Sequence, residues 1–327
     1  MGKYIVFGGD GFVGRYLVDS LFQQGKKVLV CDVQQTADIY EKCDFKKVDI
    51  TNEEDLRKVT FQQDDVVIHL AARQYHLSVP KAGRDDFFFS VNYKGTENIL
   101  TAMKRCGCHK MIYFSTDMTY GKPQFLPVTV NHQQKPFGPY GSSKKASEDL
   151  CRKYRAEGFN ITIFRPRMIL GPGRLGILRK LFKLMEWNFP IPMIGNGKNC
   201  YQMISVFDCV DAIIKAIKKD IPNSEYNLGS NEPPKVCDLL GKVIKDVGSH
   251  SVLIPTNGYI VKKMLWLLGN IGLELLYKEQ YEIADENYLV DISNTIDDLD
   301  WKPLYDDTDM LCQAYEYYRQ ETKGGKL

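Results

Sequence analysis

The stretch Val6-Phe7-Gly8-Gly9-Asp10-Gly11-Phe12-Val13-Gly14 packs four glycines into seven positions, straight after the apolar run Tyr4–Phe7. Glycine reaches backbone angles closed to other residues, and it costs stability in regular structure. A strand that ends in such a turn and opens a helix can bring a phosphate onto free N–H groups at the positive end of the helix dipole. The same glycines could also serve a merely flexible loop, and the segments that follow decide between the two.

Short apolar runs alternate with helix-like stretches through the first half of the chain. Strands are expected at 4–8, 27–32, 45–48, 66–70, 110–115 and 161–165, and helices at 13–24, 53–59, 88–106 and 142–157. Such alternation implies βαβ units, and so an α/β fold with a parallel sheet covered on both faces. Right-handed crossovers then leave a ligand crevice at the carboxyl ends of the strands. After Arg165 the pattern breaks at Gly171-Pro172-Gly173, Pro190-Ile191-Pro192 and Gly195-Asn196-Gly197, which mark loops. The expected division is a nucleotide-binding domain over 1–165, with a segment near 205–229 returning to it. Residues 166–204 and 230–327 form a smaller lobe over the crevice.

A chain of 327 residues is long enough for a full core, and its formal net charge of +2 provides no general field toward nucleic acid or membrane. The four apolar residues after Lys3 fall short of a signal peptide, so no leader is expected. The nine cysteines read as reduced thiols of a cytoplasmic protein. Cys106-Gly107-Cys108-His109 has metal-like spacing without a second ligand pair, so a helix end and turn is expected there, and no metal. Residues 260–276 are apolar but interrupted by Lys262, Lys263, Gly269, Asn270, Gly272 and Glu274. They are too broken to span a membrane. A buried helix pair is the expectation, against a membrane-surface or partner face.

The second strand ends in Asp32, 18 residues beyond Gly14. A carboxylate there can accept both adenosine ribose hydroxyls and would repel a 2′-phosphate, favouring NAD over NADP. Asp49 and Ile50 end the third strand, where an adenine contact could form. In Tyr140-Gly141-Ser142-Ser143-Lys144, phenol and ammonium lie four residues apart on one helix face. A neighbouring cation favours the phenolate of a tyrosine that is otherwise a poor base at neutral pH.

Together these stretches resemble the extended short-chain dehydrogenase/reductase family, the NAD-dependent epimerase/dehydratase group of nucleotide-sugar type. The resemblance rests on Gly8/Gly11/Gly14, Asp32, Asp49-Ile50 and His69-Leu70-Ala71-Ala72. It continues through Asn92-Tyr93-Lys94-Gly95-Thr96, Ser115-Thr116 and Pro139 to Lys144. Arg165-Pro166, Val206-Phe207-Asp208 and Leu299-Asp300-Trp301-Lys302-Pro303 complete it. It implies a Rossmann-type doubly wound sheet with a C-terminal substrate-binding lobe, and NAD as cofactor. The implied cofactor contacts are Gly8, Gly11, Phe12, Val13, Asp32, Asp49, Ile50, Leu70, Ala71, Ala72, Asn92, Tyr140, Lys144 and Pro166.

By the same resemblance Tyr140 exchanges a proton with a substrate hydroxyl while nicotinamide takes or gives a hydride. Lys144 lowers the phenol's pKa and holds the nicotinamide ribose, and Thr116 hydrogen-bonds the reacting oxygen. Sugar 4,6-dehydratases carry Thr-Asp-Glu where this chain reads Thr116-Asp117-Met118, and methionine cannot remove a proton. Asp117 remains as an acid, a substrate contact or a turn cap. Tyr201 stands where many nucleotide-sugar epimerases have a diphosphate-binding arginine. Arg167, Arg174 or Arg179 could grip phosphate instead, or form a solvated basic face. The implied activity is NAD-dependent epimerisation or oxidoreduction of a nucleotide sugar, with epimerase or dehydrogenase chemistry favoured over 4,6-dehydration. A hydroxysteroid- or flavonoid-type dehydrogenase and a non-catalytic NAD-binding protein are the alternatives. The implied assembly is a homodimer through the helices at 88–106 and 142–157, with no nucleic-acid partner.

Overall fold

The computed structural model describes residues 2–36, 43–75, 79–271 and 273–324. The chain begins with β1 (Tyr4–Phe7), α1 (Phe12–Gln23), β2 (Val28–Asp32), β3 (Asp44–Lys47), α2 (Glu53–Arg57) and β4 (Val66–His69). It continues through α3 (Arg84–Phe89), a π-helical turn (Ser90–Gly95), α4 (Thr96–Arg105), β5 (Lys110–Phe114), α5 (Pro139–Ala156) and β6 (Asn160–Pro166). Next come β7 (Met168–Leu170), α6 (Leu178–Glu186), β8 (Ile191–Met193), β9 (Met203–Ser205), α7 (Val206–Lys218) and β10 (Glu225–Leu228). Helix α8 (Val236–Asp246), β11 (Leu253–Pro255), α9 (Gly258–Asn270), α10 (Lys278–Tyr281), α11 (Ser293–Leu299) and α12 (Asp307–Gly324) complete the described chain.

Seven strands form one parallel sheet in the order β10-β6-β5-β4-β1-β2-β3. This is the expected Rossmann-type α/β sheet, and the strand at Glu225–Leu228 does return to it. Alternate residues of β1 face opposite ways. Tyr4 and Val6 join a core with α1 and α7, while Ile5 and Phe7 join a second core with α4 and α5. Both faces are covered, so the strand is buried throughout. The order reverses between β1 and β4, which opens the ligand crevice at their carboxyl ends. A third core joins α6, α8 and α12 into the smaller lobe.

The structure departs from the sequence reading in three places. Residues 283–301 pack on the large sheet's core through Ile283, Tyr288, Val290, Leu299 and Trp301 rather than in the lobe core. The Trp301 indole donates to the Asp208 carbonyl, and the Asp208 carboxylate accepts from the Leu304 and Tyr305 N–H groups, so two of the quoted motifs clasp each other. The helix expected at 88–106 is broken by the π-turn. There, Thr96 and Ser147 hydroxyls donate to the Asn92 carbonyl, and such turns recur at functional sites. Residues 260–276 are not a buried helix pair: α9 buries Leu265 alone, and Gly272 lies outside the described residues. The Cys106-Gly107-Cys108 segment is a helix end, with Gly107 at φ +68°. No helix among the described residues is long and apolar enough to cross a membrane.

Candidate active site

The glycine run turns sharply out of β1. Gly8 sits at φ +80°, and a Cβ there would fall 2.5 Å from the Ala71 nitrogen. Its carbonyl accepts from the Gly11 N–H at 3.1 Å, which folds the loop back on itself. Helix α1 then starts at Phe12 with Gly11 as its N-cap and no side chain capping it. The N–H groups of Phe12 and Val13 therefore lie at an uncapped positive helix end, suited to an anion. Leu70, Ala71 and Ala72 run beside this loop from the end of β4, the Leu70 N–H bonding the Phe7 carbonyl.

Asp32 ends β2 next door. Its carboxylate accepts from the Val33 N–H at 2.7 Å and the Asp10 N–H at 3.0 Å, the latter tying it to the glycine loop. Burial raises its pKa, and those two N–H groups work against the rise. Asp10 is buried, and it accepts from Arg15 and from the Thr36 N–H and hydroxyl. Asp49 caps the next turn through Thr51, and the Ile50 carbonyl accepts from Asn98 on α4. A cradle that a Cβ would fill, an uncapped helix N-terminus and a carboxylate at the second strand's end fit a dinucleotide.

The side chains expected to be catalytic gather where α5 meets the end of β5. Pro139 occupies the first turn of α5, and Tyr140 and Lys144 follow on one buried face. The Thr116 hydroxyl lies close enough to the Tyr140 phenol to act on it. Burial pushes that phenol's pKa up, while the Arg174 guanidinium and the Thr116 hydroxyl pull it down. Arg174 is thus a cation that lowers the Tyr140 pKa. Lys144 donates to the Phe114 carbonyl at 2.6 Å and lies 4.3 Å from the Tyr113 ring centroid. Burial lowers its pKa to about 7, with Glu148 opposing. Asn92 pins the loop after β4 to α5: it accepts from the Arg73 N–H and donates to the Arg73 carbonyl and the Ser143 hydroxyl. Below, Glu148 pairs with Arg165 at 2.7 Å and accepts from Ser115, which fixes the strand end that carries Thr116. Pro166 ends β6 beside Leu228.

Of the arginines expected to grip substrate, Arg167 is already engaged. It is buried in an ion pair with Asp117, its guanidinium 4.5 Å from the Tyr201 ring and 4.0 Å from Tyr288. The same pair occupies Asp117, whose carboxylate also accepts from Thr116 at 3.1 Å. Arg179 is exposed and pairs with Glu321 on α12. Arg174 lies between the two ends of the site: it donates to Gln74, sits 5.6 Å from the Phe12 ring and acts on Tyr140.

Two residues here carry no local motif. Glu279, buried on α10, lays its carboxylate against the N-terminus of α5, where a Cβ on Gly138 would overlap it. Neither carboxylate oxygen has a hydrogen-bond partner among the described residues, and burial raises its pKa to about 7. Tyr75 stacks on Tyr277 at 4.4 Å and meets Tyr140 edge-on at 5.8 Å. The sequence signals neither, because both reach Tyr140 only through the tertiary fold.

Fold and site together define a Rossmann-type, dinucleotide-dependent enzyme class built around a Thr/Tyr/Lys cluster. Residues 4–229 match the NAD dependent epimerase/dehydratase family, and the chain belongs to that family. The uncharacterized protein y4nG of Sinorhizobium fredii is 30% identical over 319 residues, covering 96% of this chain and 78% of that protein. A putative UDP-glucose 4-epimerase of Methanocaldococcus jannaschii is 28% identical over 272 residues, covering 79% of this chain and 88% of its own. The solved UDP-glucose-4-epimerase of Stenotrophomonas maltophila, with bound NAD and formylated UDP-arabinopyranose, superposes with a TM-score of 0.79 at 20% identity. That match covers 99% of this chain and 100% of the other. NAD is the cofactor of this family.

Proposed function

We propose that the protein is a nucleotide-sugar epimerase that works by transient oxidation at a ring carbon. The observation that carries this reading is the buried set of Thr116, Tyr140 and Lys144 where α5 meets the end of β5, with a methionine at position 118. NAD, when bound, supplies the acceptor and donor of hydride. Gly8, Gly11, Phe12 and Val13 would hold its pyrophosphate, Asp32 its adenosine ribose, and Asp49 and Ile50 would border its adenine. Leu70, Ala71, Ala72, Asn92 and Pro166 would line its nicotinamide half, with Lys144 on the ribose.

Tyr140 removes the proton of the reacting hydroxyl, and Thr116 holds that oxygen in line. After the keto sugar turns its other face, the same phenol returns the proton. Arg174 is the diphosphate ligand in this reading, since Arg167 is neutralised by Asp117. Tyr201 contributes its ring to the wall and leaves charge recognition to Arg174. A homodimer through the outer faces of α4 and α5 belongs to this reading, and light scattering would test it.

A second reading, a dehydrogenase of a hydrophobic alcohol, is favoured by the exposed apolar surface of α9 on the same lobe. Thermal shifts of the NAD-loaded protein against nucleotide sugars, steroids and flavonoids separate the two. The proposal expects stabilisation by a nucleotide sugar, followed by appearance of its epimer. Stabilisation by steroids or flavonoids alone would overturn it.

A further inference from the structure

Helix α9 carries Ile260, Met264 and Leu267 on one outward row, continued by its C-cap Ile271, at the three- and four-residue spacing that stacks side chains on a helix face. Tyr259, Lys263 and Trp266 form the adjacent row. Tyr259 is 75% exposed, Ile271 73% and Trp266 53%. The surface continues along the chain in both directions. Before the helix, Val252 and Ile254 are exposed, with Ile254 paired to Pro192 of β8, and exposed Trp187 and Phe189 lead into that strand. After the helix come exposed Leu273 and Leu275, and the Leu275 carbonyl accepts from Lys180 of α6. Exposed apolar side chains this dense along one helix and its flanks exceed the singly scattered surface hydrophobes of a soluble protein.

The unpaired charges of this surface among the described residues are basic, since Glu186 at the end of α6 accepts from the Tyr318 hydroxyl and lies 3.8 Å from Arg319. From 252 to 275 the single acidic residue is Glu274, which Arg84 neutralises. Lys262 is taken by Asp285. Lys180, Lys183 and Lys263 remain, without a carboxylate partner among the described residues, and the Lys183 ammonium lies 4.4 Å from the Trp187 ring. A second copy of this chain would bring a second set of these lysines to the interface without adding an unpaired carboxylate from 252–275, which opposes pairing there. An apolar centre with tryptophan and tyrosine, rimmed by lysines, matches the layered chemistry of a lipid headgroup region. At 13 residues, α9 measures about 20 Å and lies along such a surface rather than through it.

We propose that this face docks on the surface of an anionic lipid bilayer, with α9 flat in the headgroup layer and Lys180, Lys183 and Lys263 on lipid phosphates. The docked helix leads through Leu275 to Tyr277, which stacks on Tyr75 beside Tyr140, so the membrane-facing surface lies close to the catalytic tyrosine.

The test is co-sedimentation of the full chain with phosphatidylcholine vesicles, and with vesicles that also contain phosphatidylglycerol. The proposal expects partition onto the mixed vesicles to exceed that onto neutral ones about tenfold and to weaken with salt. It also expects loss of binding in an I260S/M264S/L267S variant and, separately, in K180E/K183E/K263E, both retaining NAD affinity as proof of folding. Absence of binding to the mixed vesicles, or binding that survives both sets of substitutions, would overturn it. So would an apolar-row variant that converts a dimer to a monomer while vesicle binding stays unchanged, because the face would then belong to a second copy.

Discussion

Asp117 and Arg167 form a buried ion pair, with the Tyr201 and Tyr288 rings against the guanidinium. Removing one partner strands the other's charge in a low-dielectric site, which costs about 3–5 kcal/mol, whereas replacing both can be nearly neutral. Asp117→Asn is therefore expected to lower stability by that order in urea denaturation, and Asp117→Asn/Arg167→Met to regain most of it. A fully stable but inactive Asp117→Asn would instead assign the carboxylate to the chemistry.

Tyr140→Phe is expected to keep NAD affinity and lose turnover by orders of magnitude, since only the proton-transferring hydroxyl goes. Thr116→Val removes one hydrogen bond to the reacting oxygen, and its loss in kcat is expected to be smaller. Steady-state kinetics beside calorimetric NAD titration checks both. A fully active Tyr140→Phe enzyme would end the mechanism.

Asp32 accepts two backbone N–H groups that aim its carboxylate from the end of β2. NAD is expected to bind more tightly than NADP, and Asp32→Ala to narrow the gap chiefly by weakening NAD. Titration of both variants with both cofactors measures this. Tighter NADP binding by the native protein would remove Asp32 from the ribose.

What the sequence displays is what a few neighbouring residues dictate. The glycine turn, Asp32 at a strand end and the Tyr140/Lys144 spacing are local, and each falls on the element expected for it. The partners of these groups are not local. Asp117 finds Arg167 at the end of another strand, Tyr140 finds Arg174 on a loop of the small lobe, and Glu279 reaches α5 from α10. Each pairing is selected by burial and charge after the chain has collapsed, and leaves no periodic trace. Helix α9 misleads for a related reason: hydropathy reports that a segment avoids water, not which apolar phase receives it.

Glu279 holds a proton more tightly in the folded protein than its ordinary carboxyl value of 4.5, being pushed up to about 7 by burial. The folded state therefore binds more protons than the unfolded chain between those two values. This group's contribution to stability is present below about 4.5 and declines as pH rises to about 7. Glu279→Gln lacks that dependence. Its stability relative to the native protein is expected to rise by roughly 3 kcal/mol between pH 4.5 and 7. Denaturant titrations of both proteins across that range decide it. Parallel pH profiles would mean that Glu279 titrates normally.

Elimination of water from a 4-keto sugar needs a base for the C5 proton and an acid for the departing hydroxyl. Met118 offers no titratable group at the place where dehydratases of this resemblance carry a glutamate. Asp117, the neighbouring candidate acid, is committed to Arg167. Glu279 is titratable, and its carboxylate is packed against the start of α5 at Gly138. The reaction is therefore expected to stop short of dehydration and to return hydride to the same carbon. Incubation of the NAD-loaded enzyme with its sugar nucleotide in deuterated water, followed by mass spectrometry, is the measurement. The expected product is the epimer at unchanged mass, without deuterium at C5. A product lighter by one water and deuterated at C5 would show that a base reaches the sugar despite Met118, and Glu279→Gln would then be the first variant to abolish it.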